Sequence, residues 1–126
     1  GQFIQIKIGS LFLRRPFSVG KYCSGRTGIL VQVKGKGSAL LADKKLRERI
    51  SVIGPLGKGF PYRKNWKKVW FVGGGTGIAP LLFLSEELKH CTDPSKFEFF
   101  YGAREKKLIF FDILPCKIPF SFSWIC

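Results

Sequence analysis

The chain has 126 residues, 45% of them hydrophobic and 24% charged, a balance that suits one folded domain and excludes a disordered chain. Its 15 glycines follow no triplet period, which excludes a collagen-like chain, and its longest charge-free stretch, residues 69–85, carries four glycines and Pro80, which makes it a poor membrane span. The net charge of +14 is uneven: residues 1–65 hold 14 lysines and arginines against Asp43 and Glu48, whereas residues 66–126 hold eight against six acids.

The first half reads as short strands. Ile4, Ile6 and Ile8 share one face and Phe3, Gln5 and Lys7 the other, the period of two that marks a strand. Gly9-Ser10 breaks it, and alternation resumes over residues 11–19, where Pro16 argues for an edge or a bulge. Residues 25–28 read as a turn, and residues 29–34 as a strand with Ile29, Val31 and Val33 on one face. Gly35-Lys36-Gly37-Ser38 interrupts; residues 39–49 read as a short helix and residues 50–53 as a strand closed by Gly54-Pro55. Many short strands at this spacing predict a small antiparallel barrel or sandwich.

The second half changes period. Residues 69–72 form an apolar strand, residues 73–77 a glycine turn, and residues 80–89 a helix with Leu81, Leu84 and Leu88 on its apolar face and Pro80 at its first position. Residues 97–101 form a second strand, residues 107–114 a second helix, and residues 120–125 the start of a third strand. Alternating strands and helices predict a parallel sheet. The expected fold is therefore an antiparallel barrel over residues 1–64 followed by an α/β unit over residues 65–126.

Three motifs carry candidate chemistry. A strand that ends in Gly73-Gly74-Gly75-Thr76-Gly77 and opens a helix puts backbone N–H groups around an anion, or is a purely structural turn; the two readings weigh about equally. Arg14-Arg15-Pro16-Phe17-Ser18 offers a guanidinium for phosphate oxygens, a ring and a hydroxyl, or is a solvated edge strand guarded by proline. Ser38 is an ordinary N-cap, or its turn offers a second place for a pyrophosphate. Cys23, Cys91, Cys116 and Cys126 lack close spacing and His90 is the only histidine, so no metal site is expected, and the thiols suit a reducing cytoplasm. No signal peptide is visible, and no residue is assigned as catalytic.

In order, Arg-Pro-Phe-Ser, Gly-Lys-Gly-Ser, Gly-Pro-Leu-Gly-Lys-Gly-Phe, Val-Gly-Gly-Gly-Thr-Gly-Ile-Ala-Pro-Leu and Tyr-Gly-Ala-Arg resemble the ferredoxin–NADP reductase superfamily. Within it the chain most resembles the electron-transfer subunits of NAD-dependent dihydroorotate dehydrogenases. The resemblance implies an FAD-binding β-barrel lacking its first strands and a nicotinamide-nucleotide domain lacking its last ones, so the chain is expected to be a fragment. It implies that Arg15 holds the FAD pyrophosphate, that Pro16 and Phe17 line the flavin, that Ser18 bonds near its N5, and that Leu30, Val31 and Gln32 line the FAD. It further implies that Gly37 and Ser38 close on the pyrophosphate and that Gly73, Gly74, Gly75, Thr76 and Gly77 receive NAD, with NADP left open. A [2Fe–2S] cluster is expected only beyond the last residue. The implied partner is a catalytic, FMN-containing dihydroorotate dehydrogenase subunit in a heterotetramer. Neither nucleic acid nor a membrane is an expected partner. The alternatives are a related reductase subunit serving a hydrogenase or sulfite reductase and, from another class, a basic nucleic-acid-binding module.

Overall fold

The computed structural model describes residues 1–63 and 66–105. Four strands form an antiparallel sheet in the order β3-β2-β1-β4, where β1 is Phe3–Ile6, β2 Arg15–Cys23, β3 Arg26–Ile29 and β4 Val52–Leu56. A helix, α1 (Lys36–Ala42), lies between β3 and β4 in sequence. Then β5 (Val69–Gly74), a single 3-10 turn (Gly75–Gly77), α2 (Ile78–Leu88) and β6 (Phe97–Gly102) build a second unit, in which β5 and β6 pair in parallel with Val69 opposite Phe97 and Gly74 opposite Gly102. The antiparallel sheet, the parallel pair and the crossover helix are those the change of period predicts. The helix and strand expected over residues 107–114 and 120–125 lie outside the described residues.

Several boundaries differ from expectation, each for a physical reason. The second strand begins at Arg15 and runs to Cys23, and its hairpin turns at Ser24-Gly25, both with positive φ. Residues 26–28, expected as part of a turn over residues 25–28, therefore belong to β3, and of the strand expected over residues 29–34 only Ile29 is in a strand. The helix expected over residues 39–49 starts earlier and stops at Ala42. Beyond it residues 43–50 are exposed, with Leu46 96% accessible, so no apolar face there rewards continued helix. Gly54-Pro55 does not close a strand but lies within β4. Gly54 has a φ of 153°, and a Cβ on it would stand 2.8 Å from Ile4 Cγ2, so β4 passes β1 at a distance only glycine permits.

Pro16 sits opposite Gln5 of β1, whereas β3 pairs only with the stretch of β2 from Val19 onward. Among the described residues, the Arg15–Ser18 part of β2 thus has a paired strand on one side alone. That is the edge position where a residue without an N–H costs no ladder bond.

The core of the second unit gathers Val69, Phe71, Ile78, Leu82, Leu88, Phe97, Phe99 and Tyr101. Phe71 stacks on Phe99 at 4.4 Å between centroids and meets Phe97 edge-on at 5.4 Å. The deepest positions of α2 are Ile78, Ala79, Leu82, Ser85 and Leu88, rather than Leu81 and Leu84, which are partly buried against the same core. The helix packs against β2 on one flank and β5 on another, so its buried stripe is wider than a single-sided helix needs. Against β2 the approach is close: a Cβ on Gly20 would lie 3.2 Å from Ala79 Cβ and 3.5 Å from its carbonyl oxygen. None of the helices among the described residues is long and apolar enough to cross a membrane.

Candidate functional site

Two adjoining cavities collect most of the residues singled out by sequence. One, of about 420 Å³, is lined by Leu11, Arg15, Pro16, Phe17 and the Gly35–Ser38 turn. The other, of about 240 Å³, is lined by Pro16, Phe17, Ser18, Leu30, Gln32, Lys34, Thr76 and Ala79. Pro16 and Phe17 belong to both and form the shared wall.

The unpaired edge of β2 is what opens these cavities, since β3 does not extend alongside Arg15–Ser18. Arg14 precedes the strand, and its guanidinium donates to the Ser51 carbonyl at 3.0 Å and to Ser51 Oγ at 2.9 Å, and neither residue lines the two cavities. Arg15 turns the other way, into the larger cavity. A Cβ on Gly37 would lie 3.2 Å from Leu11 Cδ1 and 3.7 Å from Arg15 Nε, so the bare backbone of Gly37 leaves a cradle beside the guanidinium that a side chain would fill.

Ser38 is not the N-cap of α1. Gly35 holds that position in extended conformation, and Ser38 is the third helical residue. Its hydroxyl accepts from the amides of Lys34 at 2.9 Å and Gly35 at 3.1 Å and donates to the Gly35 carbonyl at 2.9 Å. The amides of the first helical turn, Lys36 to Ser38, have no acceptor within the helix, as at any helix start. Among the described residues, Arg15 and Lys36 are the charged side chains lining the larger cavity and Lys34 the one lining the smaller, and no acidic side chain lines either. That arrangement favours an anionic ligand along the larger cavity and a flat, partly apolar group in the smaller.

The structure thus brings Arg15, Pro16, Phe17, Ser18, Leu30, Gln32, Gly37, Ser38 and Thr76 together. Val31 lines neither cavity: residues alternate, and Leu30 and Gln32 occupy the facing positions. Gly73, Gly74, Gly75 and Gly77 line neither as well. A Cβ on Gly73 would stand 3.0 Å from Leu81 Cδ1 and 3.3 Å from Ile78 Cα, so this glycine lets β5 close on α2; Gly75, with a φ of 51°, makes the turn. Lys36 and Ala79, which lie within the quoted motifs, and Leu11 and Lys34, which lie outside them, complete the linings. The alternation that selects Leu30 and Gln32 points equally to Lys34. Among the described residues no cluster of His, Cys, Asp or Glu could hold a metal ion.

No family model matches the chain. It is similar to the electron transfer subunit of dihydroorotate dehydrogenase B (NAD(+)) of Caldanaerobacter subterraneus subsp. tengcongensis, 43% identical over 90 residues that make up 71% of this chain and 36% of the relative. The subunit of the same name from Desulforamulus reducens is 36% identical over 117 residues, 89% of this chain and 44% of that one. The chain therefore spans less than half the length of these curated relatives. Among solved structures it is similar to an NADH-dependent reduced ferredoxin–NADP oxidoreductase, with a TM-score of 0.76 and 29% identity, over 98% of this chain and 46% of that one. By fold and by sequence the chain belongs to the ferredoxin–NADP reductase superfamily, and within it is like the electron-transfer subunits of NAD-dependent dihydroorotate dehydrogenase.

Proposed function

We propose that the chain is the flavin- and nucleotide-facing part of an electron-transfer subunit that moves electrons between NAD(H), FAD and a [2Fe–2S] cluster, in the service of dihydroorotate oxidation to orotate. Residues 1–64 are the FAD-binding part and residues 65–126 the nicotinamide-nucleotide part. The observation that carries this reading is the convergence of Arg15–Ser18, the Gly35–Ser38 turn and Thr76, distant in sequence, on two adjoining cavities that no acidic side chain among the described residues lines.

In the larger cavity, Arg15 and the free amides of Gly37 and Ser38 would hold the FAD pyrophosphate; the missing side chain at Gly37 leaves room for it beside the guanidinium. In the smaller cavity, Pro16 and Phe17 would wall the ring system, Ser18 would offer its hydroxyl to the ring edge, and Leu30 and Gln32 would cover it from the facing segment. Thr76, at the turn between β5 and α2, brings the nucleotide-binding part to that same cavity, outside the carboxyl end of a parallel strand, where ligands of open α/β sheets bind. When bound, the flavin supplies the redox chemistry, exchanging electron pairs with nicotinamide and single electrons with iron–sulfur centres. The chain's share is to bind, orient and shield it. The cluster lies beyond residue 126, the partner is a catalytic FMN-containing dihydroorotate dehydrogenase subunit in a heterotetramer, and the complex works in the cytoplasm.

The full-length protein tests this. It is expected to purify yellow, to keep about one flavin per chain through desalting, and to lose its flavin absorbance on anaerobic addition of NADH. A colourless protein that takes up no FAD overturns the reading.

A further inference from the structure

Lys34 belongs to none of the motifs, yet it lines the smaller cavity with Ser18, Gln32 and Thr76 and is the only ionisable residue there among the described residues. Its backbone is held in place, because its amide donates to Ser38 Oγ at 2.9 Å and the same hydroxyl is tied to Gly35 at both its amide and its carbonyl. The first turn of α1 therefore fixes the point from which the lysine side chain leaves. The ion pairs among the described residues are Lys44–Glu48, Lys68–Glu98 and Lys89–Glu86, so no carboxylate there neutralises Lys34.

Resting on the reading that this cavity takes the flavin ring, we infer that Lys34 sets the electron affinity of the bound flavin. The physical distinction is between charges that change with oxidation state and charges that do not. The pyrophosphate carries the same charge in oxidised and reduced FAD, so Arg15 and Lys36 in the larger cavity strengthen binding of both forms alike. The ring is different: two electrons and one proton taken up together leave it one unit more negative. A cation beside the ring therefore favours the reduced form selectively. Apolar neighbours on the same wall, Leu30, Phe17 and Ala79, weaken the screening that an open surface would impose.

The test is the midpoint potential of the flavin-loaded full-length protein, read by equilibration with a reference dye, for the parent, Lys34→Gln and Lys34→Arg. Lys34→Gln is expected to reduce the preference for reduced over oxidised flavin about tenfold. For a two-electron couple that is a potential about 30 mV more negative. Lys34→Arg, which keeps the charge, stays near the parent, and the gap between Lys34→Gln and the parent narrows as salt is raised. Flavin retention by Lys34→Gln stays close to that of the parent. An unchanged potential in a Lys34→Gln protein that retains its flavin overturns this inference and leaves the flavin reading standing. Loss of flavin from Lys34→Gln but not from Lys34→Arg makes the lysine a holder of the cofactor and overturns it too. A parent protein without flavin overturns both.

Discussion

Arg14 and Arg15 are neighbours with opposite assignments. Arg14 is committed to the Ser51 carbonyl and hydroxyl, so it joins the segment before β2 to the segment before β4. Arg15 lies beside Gly37 in the larger cavity. In the flavin-loaded full-length protein, Arg15→Ala is expected to remove a charge-assisted contact of about 1.5–3 kcal/mol. FAD affinity then falls about 10–100-fold. Arg14→Ala leaves affinity close to the parent and lowers stability by about 1 kcal/mol instead, through lost hydrogen bonds. Flavin retained per chain after desalting, beside the urea midpoint, separates the two; greater flavin loss from Arg14→Ala would reverse the assignment. The alternation of a strand is enough to tell these arginines apart in the sequence, since Cβ directions reverse at each residue. Residue type does not reveal the place of Ser38. A serine after a glycine pair looks like a cap, and only the backbone shows that Gly35 caps the helix while the serine hydroxyl reaches back to two amides.

Among the elements, those legible in the sequence are those with a strict apolar period. β6 is an example: Phe97, Phe99 and Tyr101 are buried while Glu98 and Phe100 are less so. Elements held by long-range pairing are harder to place. β3 forms because residues 26–29 find the second half of β2, not because Arg26-Thr27-Gly28-Ile29 has strand character. The glycine turn illustrates the same limit. Its composition advertises phosphate binding, but Gly73 is required where β5 meets α2. Gly73→Ala is expected to destabilise the fold by about 1–3 kcal/mol through overpacking against Leu81 and the Ile78 backbone. An unchanged denaturation midpoint would show that the helix can yield. The 3-10 turn before β6 (Pro94–Lys96) carries a pH signature. The Asp93 carboxylate caps it by accepting from the Ser95 amide at 2.9 Å, and that hydrogen bond holds its pKa below the usual aspartate value. A lowered folded-state pKa means stability that is present above the unfolded-state value and lost as pH falls through the folded one. Asp93→Ala should therefore be less stable than the parent near neutrality. The difference should shrink on acidification below the ordinary aspartate range, as urea midpoints taken across pH will show.

At the scale of the molecule, the switch of hydrophobic period near the middle of the chain foretells two kinds of sheet, and the structure supplies them on either side of α2. What the sequence does not disclose is how that helix serves both, because a residue's second neighbour leaves no local pattern. The aromatic cluster under α2 is the main buried mass of the second unit, with Phe99 fully buried against Phe71. Phe99→Ala is expected to cost about 3–5 kcal/mol. A domain is stable by only about 5–15 kcal/mol in total, so this change should consume much of the margin, and thermal denaturation of the full-length protein will register it. The close pass of Gly20 and Ala79 has a consequence of another kind, for the freedom of the sequence to drift. The two positions share one small volume, so what either will accept depends on what occupies the other. In a library randomised at both and selected for folded protein, the survivors should be pairs whose combined bulk stays near that of glycine plus alanine, alanine facing glycine included, while a larger side chain at one site leaves no residue at the other able to make room, glycine being already the smallest.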